Sequence, residues 1–230
     1  CYLAVSSTSR EKLEEFIPTV GIAPDRIKTY VVDMTVEAEV KAFIESAAEE
    51  FGRIDSLIVN QGDEGKRALL EDAVYENWVH VFNVNVFGVL YALKYTAPFM
   101  KKQESGSIVI NCSNGAYTGS PGLSHYSASK HACYGLAKSA AIELAPYGVH
   151  CNCICPGAIE TPMVRRIEEM QLGHLPTREE RVKAFCAQCP DKRYARPEEV
   201  AYMALFLASE LSSHISGSGI RLDGGMDAKD

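Results

Sequence analysis

Tyr126 and Lys130 stand four residues apart in the run Tyr126-Ser127-Ala128-Ser129-Lys130. On a helix that spacing puts both side chains on one face, a single turn from each other. An ammonium held beside a phenol favours the phenolate. The pairing makes a tyrosine able to give and take a proton near working pH. Upstream, Ser113-Asn114-Gly115-Ala116-Tyr117 opens a Gly/Ser/Pro-rich passage that closes on His125-Tyr126.

Elements on either side must position these groups. Ser107 to Asn111 reads as a buried strand before the passage, and a helical pattern runs from Tyr126 to about Ala145 after it. Further strands are expected at Tyr2 to Val5, Ile27 to Val32 (closed by Asp33), Ser56 to Val59 (running into Asn60-Gln61-Gly62), Val149 to Ile154 (ending at Pro156-Gly157) and Gly219 to Leu222. Arg10 to Phe16 forms a short helix before Pro18. Thr35 to Phe51 carries Val36, Val40, Phe43, Ile44 and Ala47 at helical spacing and stops at Gly52. A long helix is expected from about Glu76 to Met100, kinked near Pro98, and another from Pro197 to Ala208. Residues 161 to 190 are polar and irregularly helical. Strand and helix alternate with short connections, which predicts an α/β, doubly wound parallel sheet with helices on both faces. Ligands in such folds bind at the carboxyl ends of strands, where Asn60, Ser113 and Pro156-Gly157 fall. The length, 230 residues, fits one domain.

Composition excludes several classes. The net charge is -7 and no Lys/Arg cluster occurs, so no nucleic-acid partner is expected. The most apolar stretch, Trp78 to Leu93, is interrupted by His80, Asn83 and Asn85, so no membrane span is expected. No signal peptide is recognisable. Cys151, Cys153 and Cys155 alternate along one strand and share a face, and Cys186 and Cys189 form a C-x-x-C. These five invite a zinc reading. Buried cysteine as a small hydrophobe is the stronger one, so no metal is expected. Eight reduced cysteines point to a cytoplasmic setting.

With these motifs in this order, the chain resembles the short-chain dehydrogenase/reductase family over essentially its whole length. Tyr126 to Lys130 is similar to the family's Y-x-x-x-K, and Ser113, 13 residues upstream, stands where the family has its catalytic serine. Asn85-Val86-Phe87-Gly88 resembles the segment that supplies a catalytic asparagine, and Val59-Asn60-Gln61-Gly62 the N-N-A-G strand end. Pro156-Gly157 with Thr161 resembles P-G-x-x-x-T; Arg196 to Ala201 and Asp223-Gly224-Gly225 resemble two later signatures. The resemblance implies a nicotinamide cofactor and hydride exchange with a secondary alcohol or ketone. Tyr126 would be the general acid/base. Lys130 would support it and hold the ribose, Ser113 would bind the substrate oxygen, and Asn85 would fix a water joining Lys130 to solvent. Pro156, Gly157, Ile159 and Thr161 would hold the nicotinamide end, Asn60 and Gly62 would lie beside the cofactor, and Asp33 would lie by the adenine. A homodimer or homotetramer through the long helices near 76–102 and 126–145 is implied, with residues 161–195 as a substrate lid. Each residue also has a plainer reading. Ser113 suits a turn, Asp33 a helix cap, and Asn83 competes with Asn85.

Two features depart from the pattern. No strand with a G-x-x-x-G-x-G turn precedes Tyr2, so the expectation is a fragment of a normal enzyme whose fold misses its first strand-loop-helix start, with the first two strands either cut off from the rest or sliding in with an unpaired edge. If the short start were natural, a cofactor-free isomerase or dehydratase, or an inactive binding module, becomes the alternative. At the end of the Tyr2 strand, where an acidic residue would favour NAD, stand Ser6, Ser7, Thr8, Ser9 and then Arg10. Thr8 and Arg10 suit a 2′-phosphate, so NADP is favoured and NAD remains open. Met163, Val164, Met170, Leu172 and Leu175 suit a lipophilic substrate, or pack the lid down.

Overall fold

A computed structural model describes residues 1–187 and 189–228. Six strands are all parallel, but they form two ladders. Strand β1 (Leu3–Ser7) pairs with β2 (Ile27–Val31), Leu3 opposite Ile27. Strands β3 (Ser56–Val59), β4 (Gly106–Asn111), β5 (Val149–Pro156) and β6 (Gly219–Leu222) make a four-stranded sheet in that order. Among the described residues no ladder joins β1 to β3. The sheet is therefore divided where the doubly wound order predicts a central strand. Parallel strands are normally covered on both faces, yet Ile58 beside this division is 47% exposed.

Helix α1 (Arg10–Phe16) follows β1, and helix α2 (Glu37–Phe51) holds the two ladders together. Val32, Val40 and Ile44 are buried in one core with Val59, Val89, Ala92 and Leu93. Glu37 accepts hydrogen bonds from Lys94 Nζ at 2.7 Å and Tyr95 Oη at 2.8 Å. Glu37 and Glu39 in the first turn favour the helix start electrostatically, and Gly52, at φ +74°, ends it in the left-handed conformation. The helix begins at Glu37 rather than the expected Thr35, because Asp33 and Thr35 are engaged in a tight turn with each other.

The expected single long helix is two helices around an irregular turn. Helix α3 (Tyr75–Phe82) passes through a π-helical turn, Asn83–Phe87, into α4 (Gly88–Gln103). Pro98 lies inside α4 without ending it, and the two helices are divided at the π-helical turn Asn83–Phe87. Such wide turns are stable where an inward side chain finds its own partners, and Asn85 does so here.

Helix α5 (Ser124–Leu144) packs Cys133, Ala137, Ala141 and Leu144 over Cys151, Cys153 and Cys155 of β5. Those three cysteines share a face, as their alternation predicts. On the other face, Val109 and Ile154 pack under Leu207 of α8 (Pro197–Leu207). Each fully buried aliphatic side chain of this kind contributes roughly 1.5–3 kcal/mol. The polar stretch from 161 onward contains α6 (Pro162–Leu172) and α7 (Arg178–Cys186), with a small core of Ala158, Val164, Cys186, Cys189 and Tyr194. Within the expected lid, Gln188 lies outside the described residues.

Candidate active site

Helix α5 carries Tyr126 and Lys130 on one face, as their spacing predicts. Lys130 Nζ lies 5.5 Å from the centre of the Tyr126 ring. Lys130 is 4% exposed, and its amine donates to the Asn111 carbonyl at the end of β4, at 3.4 Å. Burial works against its charge, but the Tyr126, Cys112, Cys133 and Cys153 side chains around it outweigh that and hold the amine above its ordinary range. Lys130 therefore stays an ammonium beside the phenol.

Ser113 follows β4 and faces the same space. Its hydroxyl accepts from the Gly115 amide at 3.1 Å and donates to Asn114 Oδ1 at 3.2 Å. A methyl placed on Gly115 would lie 3.4 Å from Ser113 Oγ and 3.5 Å from Tyr126 Cε1. Ser113 Oγ and the Tyr126 ring thus lie to either side of Gly115.

Asn85 is fully buried, whereas Asn83 is half-buried. Asn85 Oδ1 accepts from the Asp63 amide at 2.8 Å. Its Nδ2 donates to the Asp63 carbonyl and to Ser129 Oγ, both at 2.9 Å. Both donor hydrogens are thus committed to the loop after β3 and to the helix of Tyr126 and Lys130. The Asn85 carbonyl in turn accepts from the Cys133 thiol at 2.6 Å.

The strand ends facing β1 and β2 form the second half of the site. Asn111 Nδ2 donates to Asn60 Oδ1 at 2.6 Å and pins β4 to the end of β3. A methyl on Gly62 would lie 3.5 Å from Lys130 Nζ and 3.7 Å from Asn85 Oδ1. Gln61 Nε2 and Asn111 Oδ1 are buried and have no protein hydrogen-bond partner. Buried polar atoms of this kind call for a partner of their own. A bare glycine over the ammonium, with unpaired amide groups beside it, fits the polar ribose and carboxamide of a nicotinamide cofactor. Across the cleft, a methyl on Gly157 would come within 3.0 Å of Asp223 Cβ, so the Pro156-Gly157 turn needs glycine to pack against the end of β6. Ile159 bridges to Ala195. Thr161 caps α6, donating to the Ile159 carbonyl at 3.2 Å and accepting from the Val164 amide at 3.4 Å.

Asp33, Thr8 and Arg10 are exposed at the ends of β2 and β1. The Thr35 amide and hydroxyl hold the Asp33 carboxyl below its usual range. The residue closes a turn there, while Val36 occupies the cap position of α2. Ser9 caps α1, and Arg10 makes no ion pair among the described residues. The sequence reading did not single out Asp63, Glu64 or His125 as parts of the site. His125 Nε2 lies 3.0 Å from the Glu64 carbonyl, and Arg166 of α6 pairs with the Glu64 carboxylate. No spacing rule connects residues so far apart in the chain. Among the described residues no group of three or more His, Cys, Asp or Glu side chains is placed to hold a metal, and no helix is long and apolar enough to cross a membrane.

Comparison with known proteins places this geometry. A family model described as enoyl-(acyl carrier protein) reductase matches residues 1–227. The 3-oxoacyl-acyl-carrier-protein reductase FabG of Thermotoga maritima is 36% identical over 218 residues, 95% of this chain and 84% of that protein. Levodione reductase of Leifsonia aquatica is 35% identical over 230 residues, 98% of this chain and 85% of that protein. Among solved structures, levodione reductase superposes with a TM-score of 0.94 at 34% identity, covering 100% of this chain and 89% of that one. ElxO with NADP bound gives 0.89 at 28% identity, covering 99% and 89%. NAD+-bound xylitol dehydrogenase gives 0.90 at 29% identity, covering 96% and 88%. Fold, site and relatives together define an NAD(P)-dependent oxidoreductase. The chain belongs to the short-chain dehydrogenase/reductase family.

Proposed function

We propose that the chain interconverts a secondary alcohol and a ketone, with Tyr126 as general acid/base. The observation that carries this reading is the convergence of the Tyr126 ring and Ser113 Oγ on the space over Gly115, with the Lys130 ammonium behind the ring. NAD(P), when bound, supplies or accepts the hydride. In the reductive direction the Tyr126 hydroxyl gives its proton to the carbonyl oxygen as negative charge builds there. Ser113 turns its hydroxyl from Asn114 to that oxygen and stabilises the charge. Lys130 favours the phenolate left behind. Asn85 holds the loop that carries Gly62, and Gly62 leaves room for the ribose over Lys130. In the oxidative direction the same groups act in reverse.

Asn60, Gly62, Pro156, Gly157, Ile159 and Thr161 would border the nicotinamide half of the cofactor. Arg10 at the start of α1, in no ion pair among the described residues, with Thr8 two residues before it, supports a preference for NADP. Met163, whose Cε lies 3.9 Å from the methyl position of Gly62, supports an apolar wall over the cleft and a lipophilic substrate. Residues 161–195 would be the lid that carries this wall. Exposed Phe87, Leu90 and Ile142 on the long helices support self-association as a dimer or tetramer. The free cysteines support a reducing, cytoplasmic setting.

The decisive experiment measures oxidation of NADPH and NADH with levodione and diacetyl as probe ketones, for the native chain and Tyr126→Phe. The variant should lose turnover by roughly 10²-fold or more while binding NADPH as before. Retained turnover would remove Tyr126 from the acid/base role. Chemistry that proceeds with no added NAD(P) would point to the isomerase or dehydratase reading instead.

A further inference from the structure

The loop after β3, Gly62 to Lys66, meets Lys130 and Asn85 of the candidate site and His125 and α6 beside it. Gly62 faces Lys130 and Met163, and Asp63 holds both ends of the Asn85 amide. The Asp63 carboxylate accepts from the Gly65 amide at 2.7 Å and lies 3.4 Å from His80 Nε2. The Glu64 carbonyl meets the ring of His125, the residue before Tyr126. Gly65, at φ +69°, leaves no room for a side chain, because a methyl there would lie 2.6 Å from Val81 and 2.7 Å from His125 Nε2. Asn77 exchanges two hydrogen bonds with the Lys66 backbone, each of 2.9 Å. The loop is thus braced from below by α3, the π-helical turn and α5.

From above it is held by one ion pair. Arg166 of α6 grips the Glu64 carboxylate with both forks of its guanidinium, through Nε to Oε1 and through Nη2 to Oε2 at 3.0 Å. Among the described residues, the other ion pairs of α6, from Arg165, Glu168 and Glu169, all stay within residues 160–181. Arg166 is therefore the charged link from α6 to the rest of the molecule. The two partners differ in burial. The Glu64 side chain is 4% exposed and that of Arg166 57% exposed. Removing the arginine strands a carboxylate in the interior; removing the carboxylate releases an arginine into water.

We propose that Glu64 and Arg166 are positioning residues. They fix the position of α6 against the loop at 62–66 and, through that loop, couple it to Asn85 and His125. The inference rests on the reading of this cleft as the place of reaction. It assigns to α6 a latch whose buried half, Glu64, lies in the loop after β3 and whose exposed half, Arg166, lies on α6.

The test compares Glu64→Gln, Arg166→Met and the double variant in full chains. Glu64→Gln should raise KM for levodione and Kd for NADPH by about 10-fold and leave kcat within about twofold. Arg166→Met should lower kcat by at least about 10-fold as well, since the stranded carboxylate disturbs the loop that holds Asn85. The double variant should recover the kcat of Glu64→Gln, a rescue that lost packing alone would not give. A double variant no better than Arg166→Met, or three variants indistinguishable from the native chain, would overturn the proposal. Amide hydrogen exchange across 162–172, measured without substrate, keeps the latch testable on its own. Exchange should be faster in Glu64→Gln and in the double variant, and unchanged exchange refutes the latch. A native chain that reduces no ketone while these exchange rates shift would refute the proposed activity and leave the latch standing.

Discussion

Asn85→Leu is the substitution whose cost the structure fixes most directly. Leucine keeps the branching of asparagine at Cγ but is larger, so at this fully buried site overpacking adds to the cost of the lost hydrogen bonds. It removes three hydrogen bonds. Ser129 Oγ loses little, because it still donates to the Tyr126 carbonyl at 2.7 Å. The Asp63 amide and carbonyl are different: both are left facing an apolar side chain in a part-buried loop. Each unsatisfied group costs about 1–3 kcal/mol, so the expected loss from the two is about 2–6 kcal/mol. For a chain of this size that lowers Tm by about 4–24 °C. Denaturant unfolding followed by fluorescence suits the assay, because Trp78 is the single tryptophan and lies in α3 against His125, 6.1 Å between ring centres. Turnover at a temperature where the variant is folded should fall as well, since Gly62 and Asp63 lose their anchor. A loss below about 1 kcal/mol would refute the reasoning. So would a fully stable protein with no activity, which would make Asn85 a reacting group rather than a brace.

Gly62→Ala should behave in the opposite way. The added methyl meets Lys130 Nζ at 3.5 Å and Met163 Cε at 3.9 Å, ordinary contacts, so stability should change by less than about 1 kcal/mol while NADPH affinity, read by titration, falls by about 10-fold or more. Unchanged affinity would move the ribose away from Lys130. A pH effect is expected at Glu199, whose carboxyl is held at about 2 by the Arg193 guanidinium and the Arg196 amide. An unfolded glutamate titrates near about 4.3, so its contribution is complete above that pH and lost as pH falls towards 2. Unfolding curves of Glu199→Gln should therefore differ from the native chain at neutral pH and converge with it in strong acid. A Tm difference that persists at pH 2 would argue against this ion pair as the cause.

The groups proposed to do the chemistry were legible because their arrangement is local. Tyr126 and Lys130 share a face through the helix period, and Cys151, Cys153 and Cys155 share one through the strand period. Asn60, Ser113 and Pro156-Gly157 sit at strand ends because alternating strands and helices put every carboxyl end on one side. Motif order did the rest for Asn85, although its spacing alone did not separate it from Asn83. What the sequence by itself determined was therefore the fold class, the strand-end placement of Asn60, Ser113 and Pro156-Gly157, and the shared helix face of Tyr126 and Lys130.

Contacts across the fold decided the remainder. The π-helical turn lies at Asn83–Phe87 rather than at Pro98 because a distant backbone, that of Asp63, gives Asn85 its hydrogen-bond partners. The two ladders are held together by α2 and its burial against α4, which no local pattern specifies. Arg166 and Glu64 meet across a sequence separation of 102 residues, with charges that separately read as solvated loop and helix surface. Periodicity fixes which way a side chain faces along its own element. Only the packed structure fixes what it faces, and at this site that is how a loop with no catalytic side chain comes to hold the lysine, the asparagine and the helix above them in one arrangement.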